Sequence, residues 1–198
     1  MEELELLKSQ GFQVLRPLGQ GAYANVFLVN HQQLGEMAAK VMKNEDFNEK
    51  EWEAAGIFDK DPPNSRPFIV RNIRAKQFDK MTVLLIDYAN LGSLYDLMQT
   101  DQNLPTQYVR AIMNQILVGL RYIHSRGLIH RDIKGGNILL HNPIGSGRVI
   151  LKIADFGVAK TKTGNGVNIQ VTVIGTEPYM APEFILGDGQ EKVIADAK

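Results

Sequence analysis

The spacing of apolar positions changes character near residue 90. Before it, apolar runs are short and separated by glycines or polar pairs. FQVLRPLGQGAYANVFLVN (12–30) predicts strand, glycine turn, strand, because Val26, Phe27, Leu28 and Val29 favour extended chain after the turn. EMAAKVMK (36–43) is a third short apolar run. NEKEWEAAGIFDK (48–60) reads as a helix: Glu, Lys and Ala dominate, and Trp52, Ala55 and Phe58 share one helical face. The prolines of DPPNSRP (61–67) break it. RNIRAKQF (71–78) and MTVLLIDY (81–88) predict two strands joined by a tight turn at Asp79 and Lys80.

After NLGSL (90–94) the period lengthens. Apolar residues at 109, 112, 113, 116, 117, 120 and 123 predict a long amphipathic helix. Pro105 and Thr106 lie near its start and Gly127 just past its end. Short strands follow in NILLH (137–141) and VILKIAD (149–155), and the tail from Phe156 reads mostly as loop. The chain thus divides into a strand-rich part (10–86), a link DYANLG (87–92) and a helix-rich part from residue 93. A cleft between two such lobes is a common place for a small-molecule site.

Charge narrows the partners. The 22 basic and 22 acidic residues cancel and are interspersed, so nothing favours nucleic acid or an anionic membrane. There are no cysteines, which excludes disulfides, a thiolate nucleophile and Cys-ligated zinc. No apolar run approaches bilayer length, and MEELELLKSQ lacks the basic start and apolar core of a signal peptide. A cytoplasmic location, or a nuclear one, is the expectation.

Four stretches carry candidate chemistry. GQGAYANV (19–26) has Gly19 and Gly21 in the first two places of a G-x-G-x-x-G motif, with Ala24 in the third. Alone it is equally an ordinary hairpin turn. A dinucleotide fingerprint needs a helix after the glycines, whereas strand residues follow here; a glycine hairpin laid over phosphates fits better. Lys40 ends an apolar strand, either as a solvated strand end or as a cation reaching phosphates and held by a carboxylate. Glu51 is the preferred carboxylate, since it borders the apolar face of its helix, with Glu53 second.

HRDIKGGN (130–137) is more specific. Asp132 suits acceptance of a proton from an attacking hydroxyl, Lys134 suits neutralising a phosphoryl group in flight, and Asn137 offers an oxygen ligand to a hard cation such as Mg²⁺. A polar turn alone does not explain those three groups beside the apolar ILL. In IADFG, Asp155 ends an apolar strand, where a carboxylate can bridge metal and nucleotide phosphates.

Taken in order, the glycine loop, Lys40, the helix glutamate, HRDIKGGN, DFG (155–157) and APE (181–183) resemble the eukaryotic protein kinase domain, from about Phe12 to Glu183. The resemblance implies an α+β bilobal fold over residues 10–198, with a β-rich N-lobe (10–86), a hinge (87–92) and a mainly helical C-lobe (93–198). It implies ATP and Mg²⁺ as cofactors. Leu18 and the segment from Gly19 to Val26, with Gly21 and Ala24, would cover the nucleotide. Lys40 would hold the α- and β-phosphates and pair with Glu51. Asp87 and Ala89 would bond adenine through backbone groups, Ile86 would guard the back of the pocket, and Val26, Ala38 and Leu139 would sandwich the ring. Asp132 would be the base, with Asn137 and Asp155 binding metal. Phe156 and His130 would stack in an internal hydrophobic column.

Lys134 and GTEPYMAPE (175–183) look like the serine/threonine type, with Thr176 bonding Asp132 and Lys134; tyrosine specificity is the alternative. The expected partner is a protein with a Ser or Thr acceptor. Arg131 before the base resembles kinases switched by a phosphate on the activation segment, and Thr172 is the implied site, modified by an upstream kinase or by autophosphorylation. The insertion DKDPPNSR is expected to be a neutral surface loop. The chain ends at Lys198, 15 residues after Glu183, whereas the family continues with several helices. An incomplete C-lobe is therefore expected, leaving the inward face of the 109–123 helix partly uncovered. The alternative function is an ATP-binding or regulatory, pseudokinase-like module without turnover.

Overall fold

The computed structural model describes residues 2–21, 23–47, 49–62, 66–100, 103–157, 159–161, 169–172, 176–180 and 192–195. They fall into two compact units: Met1–Trp52 with Val70–Tyr88, and Glu53–Ile69 with Ala89–Lys198.

The first unit is built on five antiparallel strands, β1 (Gln13–Gln20), β2 (Ala24–His31), β3 (Gly35–Lys43), β4 (Asn72–Gln77) and β5 (Met81–Ile86), in the order β1-β2-β3-β5-β4. The expected turn at Asp79 and Lys80 is closed by the Phe78 N–H donating to the Met81 carbonyl at 2.8 Å. Strand alternation sends Met37, Ala39 and Val41 of β3 to one face, where they pack with Val29, Val83 and Leu85. Ala38, Lys40 and Met42 take the other face, opposite Ile86, Leu84 and Thr82 of β5.

A helix that apolar spacing did not predict, α1 (Glu2–Ser9), covers the first of these faces. Glu2, Glu3 and Glu5 in its first turn and Lys8 in its last suit the helix dipole. Its Leu7 is 0% exposed in the core of this unit, a burial that stabilises by about 1.5–3 kcal/mol. Glu3 also accepts from the Asn25 amide at 2.9 and 3.0 Å. The helix expected at 48–60 is shorter: α2 (Glu49–Gly56) gives way to a 3₁₀ turn at Ile57–Lys60 that buries Phe58.

In the second unit, α3 (Leu94–Met98), α4 (Thr106–Ser125), β6 (Leu128–Ile129) and the hairpin β7 (Ile138–His141) and β8 (Ile150–Ile153) surround one core. Ile116 and Ile123 of α4 pack there with Ile138, Leu151 and Ile153. Gly119 faces the same way, and a Cβ on it would lie 2.8 Å from Ile153 Cδ1 and 3.3 Å from the Phe68 carbonyl. The apolar face expected of this helix is covered only in part, in line with the expectation. Val109, Met113 and Leu117 are 43%, 48% and 58% exposed, and the inward stripe runs through 112, 116, 119, 120 and 123.

Two further expectations change. The segment after α2 is more than a neutral loop: Asp61 accepts from Tyr122 Oη at 2.5 Å and pairs with Arg126 at 2.7 Å, fastening it to α4. Arg66 donates back to the Asp61 carbonyl. The tail is not all loop: β9 (Lys160–Thr161) pairs with β6, and β10 (Ile169–Thr172) pairs with β11 (Lys192–Ala195). Among the described residues no helix is long and apolar enough to cross a membrane.

Candidate active site

The loop between β6 and β7 carries His130 to Asn137. His130 is 1% exposed. Its Nδ1 accepts the Asp132 N–H at 3.3 Å, which leaves the proton on Nε2 to donate to the Ala154 carbonyl at 3.0 Å. Burial pushes its pKa down, and the Ala154 bond and the charges of Asp155 and Asp132 only partly oppose this. The ring is therefore a neutral strut. Phe156 stacks against it at 5.0 Å and against Phe58 at 5.3 Å. Arg131 adopts φ 69°, a left-handed conformation unusual for a side chain of this size.

Asp132 is the hub of the loop. One carboxylate oxygen accepts from Thr176 Oγ1 at 2.8 Å. The other accepts from Asn137 Nδ2 at 2.9 Å and meets Lys134 Nζ at 2.8 Å. Lys134 also donates to Thr176 Oγ1 at 2.8 Å. Burial opposes ionisation of Asp132, but Lys134, Thr176 and Asn137 together outweigh it and hold the pKa below the usual aspartate range. The carboxylate is thus ionised at neutral pH and aimed by three donors. Gly135 lets this loop lie against α3: a Cβ there would come within 3.1–3.3 Å of Tyr95 backbone and side-chain atoms.

Asn137 is buried, and its Nδ2 also binds the Asp132 carbonyl at 2.9 Å. Both of these bonds use the amide nitrogen, which turns the Oδ1 away from Asp132. The Ala154 N–H donates to the Asn137 carbonyl at 2.9 Å, bringing the exposed Asp155 to the same end of the hairpin, at φ 66°. An amide oxygen and a carboxylate are a hard donor pair that fits Mg²⁺. Among the described residues no group of three or more His, Asp or Glu could hold a metal unaided. Such a pair suits a cation that keeps phosphate oxygens and waters as its other ligands.

In the first unit, Lys40 is half-buried and lies between Val26 on β2 and Leu84 on β5, on the face it shares with Ala38. Leu18 is half-buried on β1; Gly19 pairs with Val26, and the Gly21 N–H donates to the Ala24 carbonyl at 2.8 Å, closing the hairpin tip. Ile86 is half-buried at the end of β5. The Asp87 N–H donates to the Arg71 carbonyl at 3.0 Å, so that donor is already engaged. The Glu51 side chain lies outside the described residues, as do Gly175 and APE (181–183); Glu53 is exposed. Thr172 is described by its backbone alone, paired with Lys192.

In the second unit, Leu139 is half-buried on β7 and bridges to Ser93, next to the half-buried Ala89 and the stretch that follows it. That stretch is stitched to β7 by Leu91 N–H to Leu140 carbonyl at 3.0 Å and Leu140 N–H to Gly92 carbonyl at 2.8 Å. Asn90 and Asn142 exchange two more bonds at 2.9 and 2.8 Å. Sequence reasoning missed these supports. One had a readable signal: Ser93-x-x-Asp96 is the capping-box pattern that starts α3.

Comparison with known proteins shows the family. Residues 12–197 match the family described as Protein kinase domain. The chain is 33% identical over 183 residues to protein kinase C zeta type from Oryctolagus cuniculus, covering 90% of this chain and 30% of that protein. It is 31% identical over 202 residues to protein kinase 3 from Dictyostelium discoideum, covering 96% and 22%. It is 35% identical over 176 residues to serine/threonine-protein kinase 1 from Arabidopsis thaliana, covering 88% and 20%. The chain spans less than a third of the length of these relatives. A match over nearly the whole chain makes it a member of the protein kinase family.

Proposed function

We propose that the chain transfers the γ-phosphoryl group of ATP to serine or threonine hydroxyls of a protein. The observation that carries this reading is the network joining Asp132, Lys134, Asn137 and Thr176. Asp132 accepts the hydrogen bond of the incoming hydroxyl, the place Thr176 Oγ1 now takes, and orients its lone pair. A carboxylate held this acidic is a weak base, which suits a loose transition state governed by positioning and charge. Lys134 offsets negative charge on the transferring group. Asn137 and Asp155 hold Mg²⁺, which supplies charge neutralisation to the phosphates when bound.

The remaining roles follow the same reading. Lys40, steadied by Glu51, binds the α- and β-phosphates, and the Leu18–Val26 hairpin covers them through backbone N–H groups. The Asp87 carbonyl and the Ala89 N–H bond adenine, with Ala38 and Leu139 against the ring. Residues 10–86, 87–92 and 93–198 serve as N-lobe, hinge and C-lobe. A phosphate on Thr172, placed by an upstream kinase or by the chain itself, pairs with Arg131.

The test is phosphate transfer from Mg²⁺-ATP to a generic basic protein, with Asp132→Asn alongside. Loss of a base and positioning group predicts a rate lower by about 10²–10⁴-fold in the variant, measured at a temperature where it still melts cooperatively. Equal rates would sink the assignment. ATP that raises the melting temperature without any transfer would favour the regulatory, pseudokinase-like module.

A further inference from the structure

We propose that the first unit carries a second binding site, for a small aromatic carboxylate, on the sheet face covered by α1. A cavity of about 140 Å³ lies there, between the end of α1 and strands β4 and β5. Strand alternation puts it on the opposite side of the sheet from Lys40, since it is lined by Val83 and Leu85, which pack with Met37, Ala39 and Val41. It is therefore distinct from the nucleotide site proposed above.

Size and walls define the ligand. A cavity of about 150 Å³ takes one benzene ring. Phe12, Phe78 and Leu34 supply its apolar walls, over Val83, Leu85 and Leu7, which lie beneath it with almost no exposure. The rim is cationic. Arg74 and Lys76 project from alternate positions of β4, and among the described residues no Asp or Glu lines the cavity. Lys76 Nζ reaches only neutral groups: it donates to Gln10 Oε1 at 2.6 Å and lies 4.8 Å above the Phe78 ring. The Arg74 side chain makes no hydrogen bond or ion pair among the described residues.

His31 adds a third donor. Its Nδ1 accepts from the Gln33 N–H at 3.3 Å, which places the proton of the neutral ring on Nε2. The ring leans on Phe12 at 5.3 Å. Two cations and an imidazole N–H around a ring-sized apolar hollow match a planar carboxylate on an aromatic body. The guanidinium of Arg74 can take the carboxylate by two parallel bonds. A neutral aromatic lacks the charge for the rim, and a small aliphatic acid lacks the body for the floor. Because Gln10, just past the end of α1, lines the cavity and Leu7 of α1 lies beneath it, an occupant stabilises the seating of that helix by mass action.

Benzoate is the probe, titrated into the whole chain by calorimetry and by ¹H–¹⁵N spectra, with benzamide and acetate as controls. Benzoate is expected to shift the amides of Leu34 and Phe78 saturably and to raise the melting temperature. Arg74→Gln, an exposed substitution that leaves the fold intact, is expected to weaken benzoate about tenfold, the worth of a charge-assisted bond. Equal affinity for benzamide or acetate, an unchanged affinity in Arg74→Gln, or shifts at Gly19 and Lys40 in place of Leu34 and Phe78 would each overturn the proposal. So would the absence of saturable shifts at millimolar benzoate.

Discussion

The outer face of the five-stranded sheet and the surface of α4 both present apolar stripes, and they meet different fates. On the sheet, α1 lies over Val29, Met37, Ala39 and Val41, and Leu7 is fully enclosed. On α4, one stripe buries Ile116 and Ile123, while the adjoining one leaves Val109, Met113 and Leu117 roughly half exposed. Apolar periodicity specifies that a face exists. Burial also requires a second element to cover it, and only then does the face contribute its full transfer free energy.

The comparison breaks most sharply within α4. Ile123→Ala, at a position 0% exposed, should cost about 2–5 kcal/mol, whereas Leu117→Ser should stay within about 0.5 kcal/mol. Urea titration of both variants checks this; comparable losses would mean that Leu117 is covered in solution. Leu7→Ala comes next, at about 2–3 kcal/mol, because a short surface helix can settle into part of the space left. A loss near zero would show that α1 does not seal the sheet. Gly119→Ala should cost about 1–3 kcal/mol, since the added methyl must displace Ile153 and press on the Phe68 carbonyl.

These cases mark what was legible in the chain. The five strands, α4 and the β7–β8 hairpin were readable because alternation and helical spacing are strong there. The active-site loop was readable because Asp132, Lys134 and Asn137 sit within six residues of one another. Helix α1 was hidden, since its stability rests on one deeply buried residue, Leu7, and on a sheet formed by distant segments. The Asp61–Tyr122–Arg126 cluster was hidden for the same reason: Tyr122 and Arg126 lie 61 or more positions after Asp61, and no local pattern announces the pairing. Asn90 and Asn142 read as loop polarity until the backbone bonds of Leu91 and Leu140 bring them opposite each other.

A smaller effect separates the two units by pH. His130 is buried neutral, with Asp132, Asp155 and Lys134 the charged groups around it. Its folded pKa lies below the unfolded one, so the unfolded chain binds the proton more readily. Stability linked to this ring is complete above the ordinary histidine pKa of about 6.5 and declines as pH falls through it. His130→Phe, which keeps a ring against Phe156, should flatten the slope of stability between neutral and mildly acid pH. An unchanged slope would show that the His130 ring does not carry it.

The smallest expected effect lies at the start of α3. Asp96 accepts from the Ser93 N–H at 2.8 Å and from its hydroxyl at 2.7 Å, and Ser93 in turn accepts the Asp96 N–H at 3.2 Å. The backbone bond first, then the hydroxyl, hold the Asp96 pKa below its ordinary value. A depressed carboxylate contributes stability above the unfolded pKa and loses it as pH falls through the folded one. Asp96→Asn should therefore cost about 0.5 kcal/mol at neutral pH, the low end for a cap because the group is exposed to screening solvent. The difference between the two proteins should shrink as pH falls through the depressed pKa of Asp96, where its side chain loses its charge. Because Tyr95 of the same helix abuts Gly135, a loosened α3 should also slow phosphate transfer slightly in the variant at neutral pH while Asp132 keeps its three donors. A pH-independent loss of stability would mean that the box acts through shape alone, with no share for the charge.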